Sequence, residues 1–182
     1  MPADAKRGPY AKGVARRGQI LAAALEAYAS SGAQGPSLRS IADSVGLTEA
    51  GVLHYFDSKD ELLVEVLAAR DRADMERFDL GTGDGVWALF EHAAKTPGLV
   101  KLLVDMTAAS SSPDHPAHAF MQERVASILD LVGRLLGDGD PWKARVLLAA
   151  AEGLQVQWLR DPSIDMVADL KRLYEALSGA QA

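Results

Sequence analysis

Ser37-Leu38-Arg39-Ser40-Ile41-Ala42-Asp43-Ser44-Val45-Gly46-Leu47-Thr48-Glu49-Ala50-Gly51-Val52-Leu53-His54-Tyr55-Phe56 reads as two short helices meeting at a glycine. Ser37 is a good N-cap for a helix through about Val45, and Thr48 caps another through about Tyr55. A helix-turn-helix sets two helices at a fixed angle, with the second available to the DNA major groove. It needs a small residue where the helices approach, a residue that tolerates positive φ in the turn, and an apolar plug. Ala42, Gly46 and Val52 fill those three places. Ile41, Val45, Leu47 and Phe56 complete the inward set. The side chains left outside are Thr48, Glu49, Ala50, Gly51, Leu53, His54 and Tyr55.

Upstream, Ile20, Leu21, Ala24, Leu25 and Tyr28 recur at three- and four-residue spacing, the stripe of an amphipathic helix over about 14–31, with Gly32 expected as a left-handed C-cap. Downstream, Ser58-Lys59-Asp60-Glu61 has the S-x-x-E spacing of a capping box and opens a long helix to about Phe78. Gly81 to Gly85 holds three glycines in five residues, which makes continuous helix costly and predicts a flexible joint. Helical patterns then occupy about 86–95, 97–110, 116–136, 141–160 and 164–178, with Asp140-Pro141 as N-cap and N1 proline. No strand pattern occurs, so the fold class expected is all-α.

The chain has 182 residues, 48% of them hydrophobic, 24% charged and none cysteine, the mix of a globular protein of one or two domains. Disulfides, thiolate metal sites and cysteine nucleophiles are closed off. No window approaches a membrane span, and a cytoplasmic protein is expected. Charge is uneven. Residues 1–59 carry seven basic side chains against five acidic ones, whereas the remainder carries 12 against 20. A nucleic-acid-binding front end on an acidic partner has that asymmetry.

The sets Ser37 to Ala42, Val45 to Thr48, His54-Tyr55-Phe56 and Ser58 to Leu63 together closely resemble the N-terminal DNA-binding region of the tetracycline-repressor (TetR) family. The likeness covers about 14–67, and Gly153 to Pro162 also looks like the penultimate helix of many members. It implies an N-terminal three-helix helix-turn-helix domain over 1–59, with a basic tail, and a C-terminal helical ligand-binding and dimerisation domain over 60–182. The implied partners are double-stranded operator DNA, a second copy of the chain and a small apolar or amphipathic effector whose binding relieves repression. By position, Arg39 and the Thr48 hydroxyl resemble phosphate contacts, Glu49, Ala50, Gly51 and His54 face the bases, Tyr55 donates to a phosphate, and Lys59 anchors the backbone. Leu53 departs from the family, which commonly has tyrosine there; contact with a thymine methyl is the substitute.

Two further sets follow from apolar spacing. Leu147, Ala151, Leu154 and Trp158 form one stripe and Leu170, Tyr174 and Leu177 another, read as a dimer interface in which two helical hairpins make a four-helix bundle. Residues 86–109 and 117–136 hold more large apolar side chains than one helix face uses, which predicts a ligand cavity. Its expected lining is Trp87, Phe90, Leu103, Met106, Phe120, Met121 and Trp158, with His92, His118 and Gln122 as polar anchors. No catalytic set, cofactor motif or metal set emerges: His115 and His118 lie beside Asp114 but have no Glu-x-x-His partner. The competing reading is a helical small-molecule-binding protein without a DNA-binding role.

Overall fold

A computed structural model describes residues 7–137 and 140–179. Its elements are α1 (Arg7–Ser30), α2 (Leu38–Ser44), α3 (Glu49–Leu53), α4 (Lys59–Arg77), α5 (Gly83–Ala93), α6 (Pro97–Ala109), α7 (Ala117–Leu136), α8 (Pro141–Arg160) and α9 (Met166–Ser178). All are helices, as the periodicity predicts. Residues 1–6, with Lys6 of the expected basic tail, lie outside the described residues.

Capping chemistry fixes most boundaries. The side chains of Ser37, Thr48, Ser58, Thr82 and Asp165 accept the N–H of Ser40, Gly51, Glu61, Gly85 and Ala168, each satisfying a donor the first helical turn leaves free. Three details differ from the sequence reading. α1 starts seven residues earlier, because Pro9 falls in its first turn, where the missing N–H is no loss. The left-handed residue after α1 is Gly35, at φ 67°, rather than Gly32. The glycine run at 81–85 is a capped helix start rather than a joint: a Cβ on Gly85 would lie 1.9 Å from the Asp79 carbonyl oxygen.

One apolar cluster joins both ends of the chain's first two thirds. Ile20, Ala24, Ile41, Val52 and Phe56 share it with Leu62, Val66 and Leu67 of α4 and with Leu99, Leu102, Met106 and Met121 of α6 and α7. The core therefore continues across position 59 without a seam. A second, smaller cluster holds Leu147, Ala151 and Leu170, with Trp87, Phe90 and Tyr174 packed on it. Tyr174 donates its hydroxyl to the Leu135 carbonyl at 2.9 Å.

Candidate functional site

The N-terminal surface is built from the turn outward. Gly46 sits at φ 67°, a backbone conformation L side chains rarely adopt. The Leu47 N–H returns to the Ala42 carbonyl at 2.9 Å, which closes the turn. Val52 is fully buried and fixes the rotation of α3, so that Glu49, Ala50, Leu53 and His54 point outward. Thr48 is exposed; its oxygen accepts the Gly51 N–H at 3.1 Å and its hydroxyl proton remains available to donate. Arg39 is 82% exposed, with Asp43 only at the 4.0 Å limit of ion pairing. Lys59 is exposed at the first turn of α4. Tyr55 is half-buried against the core and meets the His54 ring edge-on. All eight residues read as DNA contacts thus lie from α2 to the first turn of α4: Arg39 on α2, Lys59 at the start of α4, and the rest on α3 and its flanking turns.

A residue the sequence reading passed over holds this surface in place. Arg17 of α1 donates Nε to the Tyr55 carbonyl at 3.1 Å, pairs with Glu61 at 2.9 Å and with both oxygens of Glu65, and stacks over the Phe56 ring at 4.5 Å. Its pKa is raised, chiefly by the hydrogen bond to Glu65. Glu61 also departs from the reciprocal capping box, because its carboxylate accepts the N–H of Asp57 rather than that of Ser58. The tug of Arg17 on the same carboxylate turns it toward α1.

The second site is a cavity of about 620 Å³ enclosed by α4, α5, α7, α8 and α9, with Leu103 from α6. That volume lies in the range of small-molecule pockets. Trp87, Phe90, Leu103 and Phe120 line it as expected. Six other expected residues do not. Met106 and Met121 are buried in the apolar cluster, on the far side of their helices. His92 packs against Phe78, with ring centroids 5.7 Å apart, and burial, helped by Arg77, lowers its pKa. His118 Nδ1 is 2.7 Å from the Ser110 carbonyl, Gln122 is exposed, and Trp158 is half-buried outside the wall.

The expected dimer stripe is also redirected. Leu147, Ala151, Leu170 and Tyr174 line the cavity from within the protomer, so their apolar periodicity serves its own interior. Leu154 and Leu177 pack at the edge of the same cluster.

The cavity has a polar wall that apolar spacing did not disclose. Arg70 and Asp74 of α4 are buried, with Arg70 Nε 3.2 Å from Asp74 Oδ2, and the Arg70 guanidinium keeps one nitrogen, Nη1, buried without a partner. Across from it, Arg124 Nε of α7 donates to Asp71 Oδ2 at 2.7 Å. Burial lowers the Arg70 pKa against the pull of Asp71, and raises that of Asp74 against the pull of Arg70. Glu152 and Gln155 of α8 complete the wall. Burial also holds the Glu152 carboxyl above the ordinary glutamate range, with Arg124 opposing.

That shift has a sign. A carboxyl whose folded pKa is raised contributes full stability below its unfolded pKa and loses it as pH rises through the folded value. Glu152→Gln is therefore expected to gain stability over the parent above that window and to show no such gain at acid pH. Melting temperatures across the pH range check it; a gain independent of pH would remove the titration of Glu152 as the cause.

Among the described residues no group of three His, Cys, Asp or Glu is placed to hold a metal ion, and no helix is long and apolar enough to cross a membrane. His115 instead places Nε2 3.4 Å from Asp60 and accepts the Ala117 N–H on Nδ1.

This arrangement, a two-helix reading head with a plugged turn on a helical body, agrees with the comparison to known families. Residues 20–66 match the model of the bacterial regulatory proteins of the tetR family. That stretch is similar to the amino-terminal region of the family. The fold of the chain recurs in solved structures. A transcriptional regulator from Rhodococcus sp. Rha1 superposes with a TM-score of 0.63 at 18% identity, covering 90% of this chain and 94% of its own. A tetR-family transcriptional regulator from Streptomyces coelicolor gives 0.64 at 20%, covering 92% and 83%. NalD of Pseudomonas aeruginosa, the secondary repressor of the MexAB-OprM multidrug efflux pump, gives 0.52 at 23%, covering 90% and 95%. No curated protein sequence matches the chain.

Proposed function

We propose that this TetR-family protein is a transcriptional repressor that binds a palindromic operator as a homodimer and is released when a small molecule enters its cavity. The observation that carries the DNA-binding reading is the outward face of the reading head. Fully buried Val52 leaves Glu49, Ala50, Leu53 and His54 outside, and exposed Arg39 and Lys59 flank them. Arg39, Thr48, Tyr55 and Lys59 are assigned to phosphates and Glu49, Ala50, Gly51 and His54 to base edges, because phosphate contacts position a protein and base contacts specify. Repression is favoured by the family resemblance and by the role of NalD. An operator as partner implies a cytoplasmic protein without catalytic activity or cofactor.

The dimer is assigned to the outward faces of α8 and α9. Ala149 is exposed there, half-buried Gly153 and Val156 permit close approach, and Leu154, Trp158 and Leu177 lie at the rim. Separation of roles at about residues 59–60 follows the same reading, with 1–59 meeting DNA and 60–182 binding effector and partner.

Electrophoretic shift with the chain's own upstream DNA tests DNA binding directly. Arg39→Ala and Lys59→Ala are each expected to leave the melting temperature unchanged and to lower the slope of log affinity against log salt by about one unit, since each phosphate neutralised releases counterions. A slope that stays the same removes the phosphate assignment. For the effector, Trp87 lines the cavity and reports entry through its emission without DNA present.

A further inference from the structure

We infer that the effector is an uncharged, largely apolar molecule that presents a hydrogen-bond acceptor of carbonyl type to the Arg70 guanidinium. The inference rests on the reading of the cavity as an effector site and names the chemistry that site selects.

The buried part of the cavity's wall is aromatic and aliphatic except along one band, where Arg70, Asp71 and Asp74 of α4 meet Arg124 of α7 and Glu152 and Gln155 of α8; Arg72, Glu123, Ser127 and Arg134 are exposed where the lining meets solvent. Within that band four of the charges form two pairs, and Glu152 feels Arg124 without pairing to it. Arg124 holds Asp71 at 2.7 Å, and Arg70 Nε faces Asp74 at 3.2 Å. What remains unmatched is a donor: Arg70 Nη1 has no acceptor and shows no open surface even to the cavity that Arg70 lines, so a ligand meets it as the guanidinium turns about its pairing with Asp74. A guanidinium stays protonated and has no lone pair to offer, so only an acceptor relieves it. Leaving such a group unmade in the interior is costly, and supplying its partner from a ligand recovers that cost on binding. The Gln155 side chain is buried in the same band and lines the cavity, so it can turn either its donor or its acceptor toward the ligand.

Charge decides between acceptors. A carboxylate at Arg70 enters the field of Asp71, Asp74 and Glu152, and repulsion between partly desolvated charges is poorly screened. An ammonium drawn to Glu152 meets Arg124, which already acts on that carboxyl, and Arg70 beyond it. A ketone, ester or amide oxygen takes the free N–H without adding to either sign. The remaining apolar body of such a molecule matches Trp87, Phe90, Leu131 and Leu147.

The test uses four molecules of one size and shape on the full-length protein: 4-phenylbutan-2-one, butylbenzene, 3-phenylpropanoate and 3-phenylpropylammonium. Affinities are read from the shift of the melting temperature and from Trp87 emission. The ketone is expected to bind at least tenfold more tightly than each of the others. Arg70→Met alone leaves Asp74 buried without its cation, so the variant used is Arg70→Met/Asp74→Leu, which replaces the pair by apolar groups of similar volume. In it the ketone's advantage over butylbenzene is expected to fall below threefold while butylbenzene binds as before. Tighter binding of either charged compound, or a ketone no better than butylbenzene, overturns the inference on the parent protein alone. An undiminished ketone advantage in the double variant removes Arg70 as the donor. If none of the four binds, the cavity is not an effector site and the inference fails with the reading beneath it.

Discussion

Gly98→Ala is expected to lower stability by about 3 kcal/mol, although it adds a single methyl group at the start of a helix. The reason lies in how α6 meets α1. Pro97 opens α6, and the Gly98 N–H then donates to the Ser31 carbonyl at 3.2 Å, so the two backbones lie against each other. A Cβ placed on Gly98 falls 2.4 Å from the Tyr28 carbonyl oxygen and 2.1 Å from Ser31 Oγ. The hydroxyl can rotate away, but the carbonyl belongs to the last turns of α1 and cannot. Relief requires α6 to back off the apolar cluster that Leu99, Leu102 and Met106 share with Tyr28. For a chain of this length the melting temperature should fall by roughly 10 °C. Gly133→Ala is the control, because nothing lies within 4 Å of a Cβ there and mid-helix glycine costs entropy; a gain of about 0.5–1 kcal/mol is expected. Equal melting temperatures for the two variants would show that α1 and α6 are not in backbone contact.

Arg17→Met is expected to weaken operator binding by tenfold or more at constant salt slope, while costing about 1–3 kcal/mol of stability. Arg17 does not face the proposed DNA surface. It joins α1, the Tyr55 carbonyl after α3, and Glu61 and Glu65 on α4. Without it the Tyr55 carbonyl loses a donor, and two carboxylates one turn apart on α4 repel. The pair is about one-third exposed, so water screens part of the loss and the stability figure sits well below that of a fully buried pair. Adding Glu61→Gln and Glu65→Gln to Arg17→Met should recover stability by removing the repulsion, yet not restore the orientation of the segment after α3. Binding titrations over a salt series separate this positioning role from phosphate neutralisation. A slope reduced by about one unit would make Arg17 a direct phosphate contact instead.

How far the sequence discloses the molecule can be traced through particular residues. Boundaries set by local chemistry are legible: Ser37, Thr48 and Ser58 cap the helices they precede, and Gly46 takes the positive φ of the turn. Apolar stripes correctly mark the helices but not what they pack on. The stripe of Leu147 and Ala151 is as suited to a partner as to a cavity, and it is the approach of α5 and α7 that decides. Met106 and Met121 illustrate the same ambiguity, since size and polarizability do not say which face turns inward. The polar band did leave a trace. On α4 the inward positions Leu63, Val66 and Leu67 continue at helical spacing to Arg70 and Asp74, so the charges replace apolar residues on a stripe already committed to the interior. A charge pair one turn apart reads equally as a solvated surface pair, and only the run of buried neighbours before it distinguishes the two.

Under the proposed function, the absence of a seam at position 59 sets how occupancy of the cavity is passed to the DNA-facing helices. Proteins whose reading heads hang on a loose tether report occupancy by freeing or confining the tether. Here Leu62, Val66 and Leu67 bind the front of α4 to Ile20, Ile41 and Phe56, while Arg70, Asp71 and Asp74 at its rear stand in the cavity wall. α4 is a single lever through both, 19 residues long and roughly 28 Å from end to end at the ordinary rise per residue. A tilt of a few degrees at the rear is carried forward as a displacement of about an ångström or more at the turn before α3, without unfolding anything between. Exchange of amide hydrogens should accordingly fade together across the front and rear of α4, as one cooperative block, rather than stepping down at residue 59.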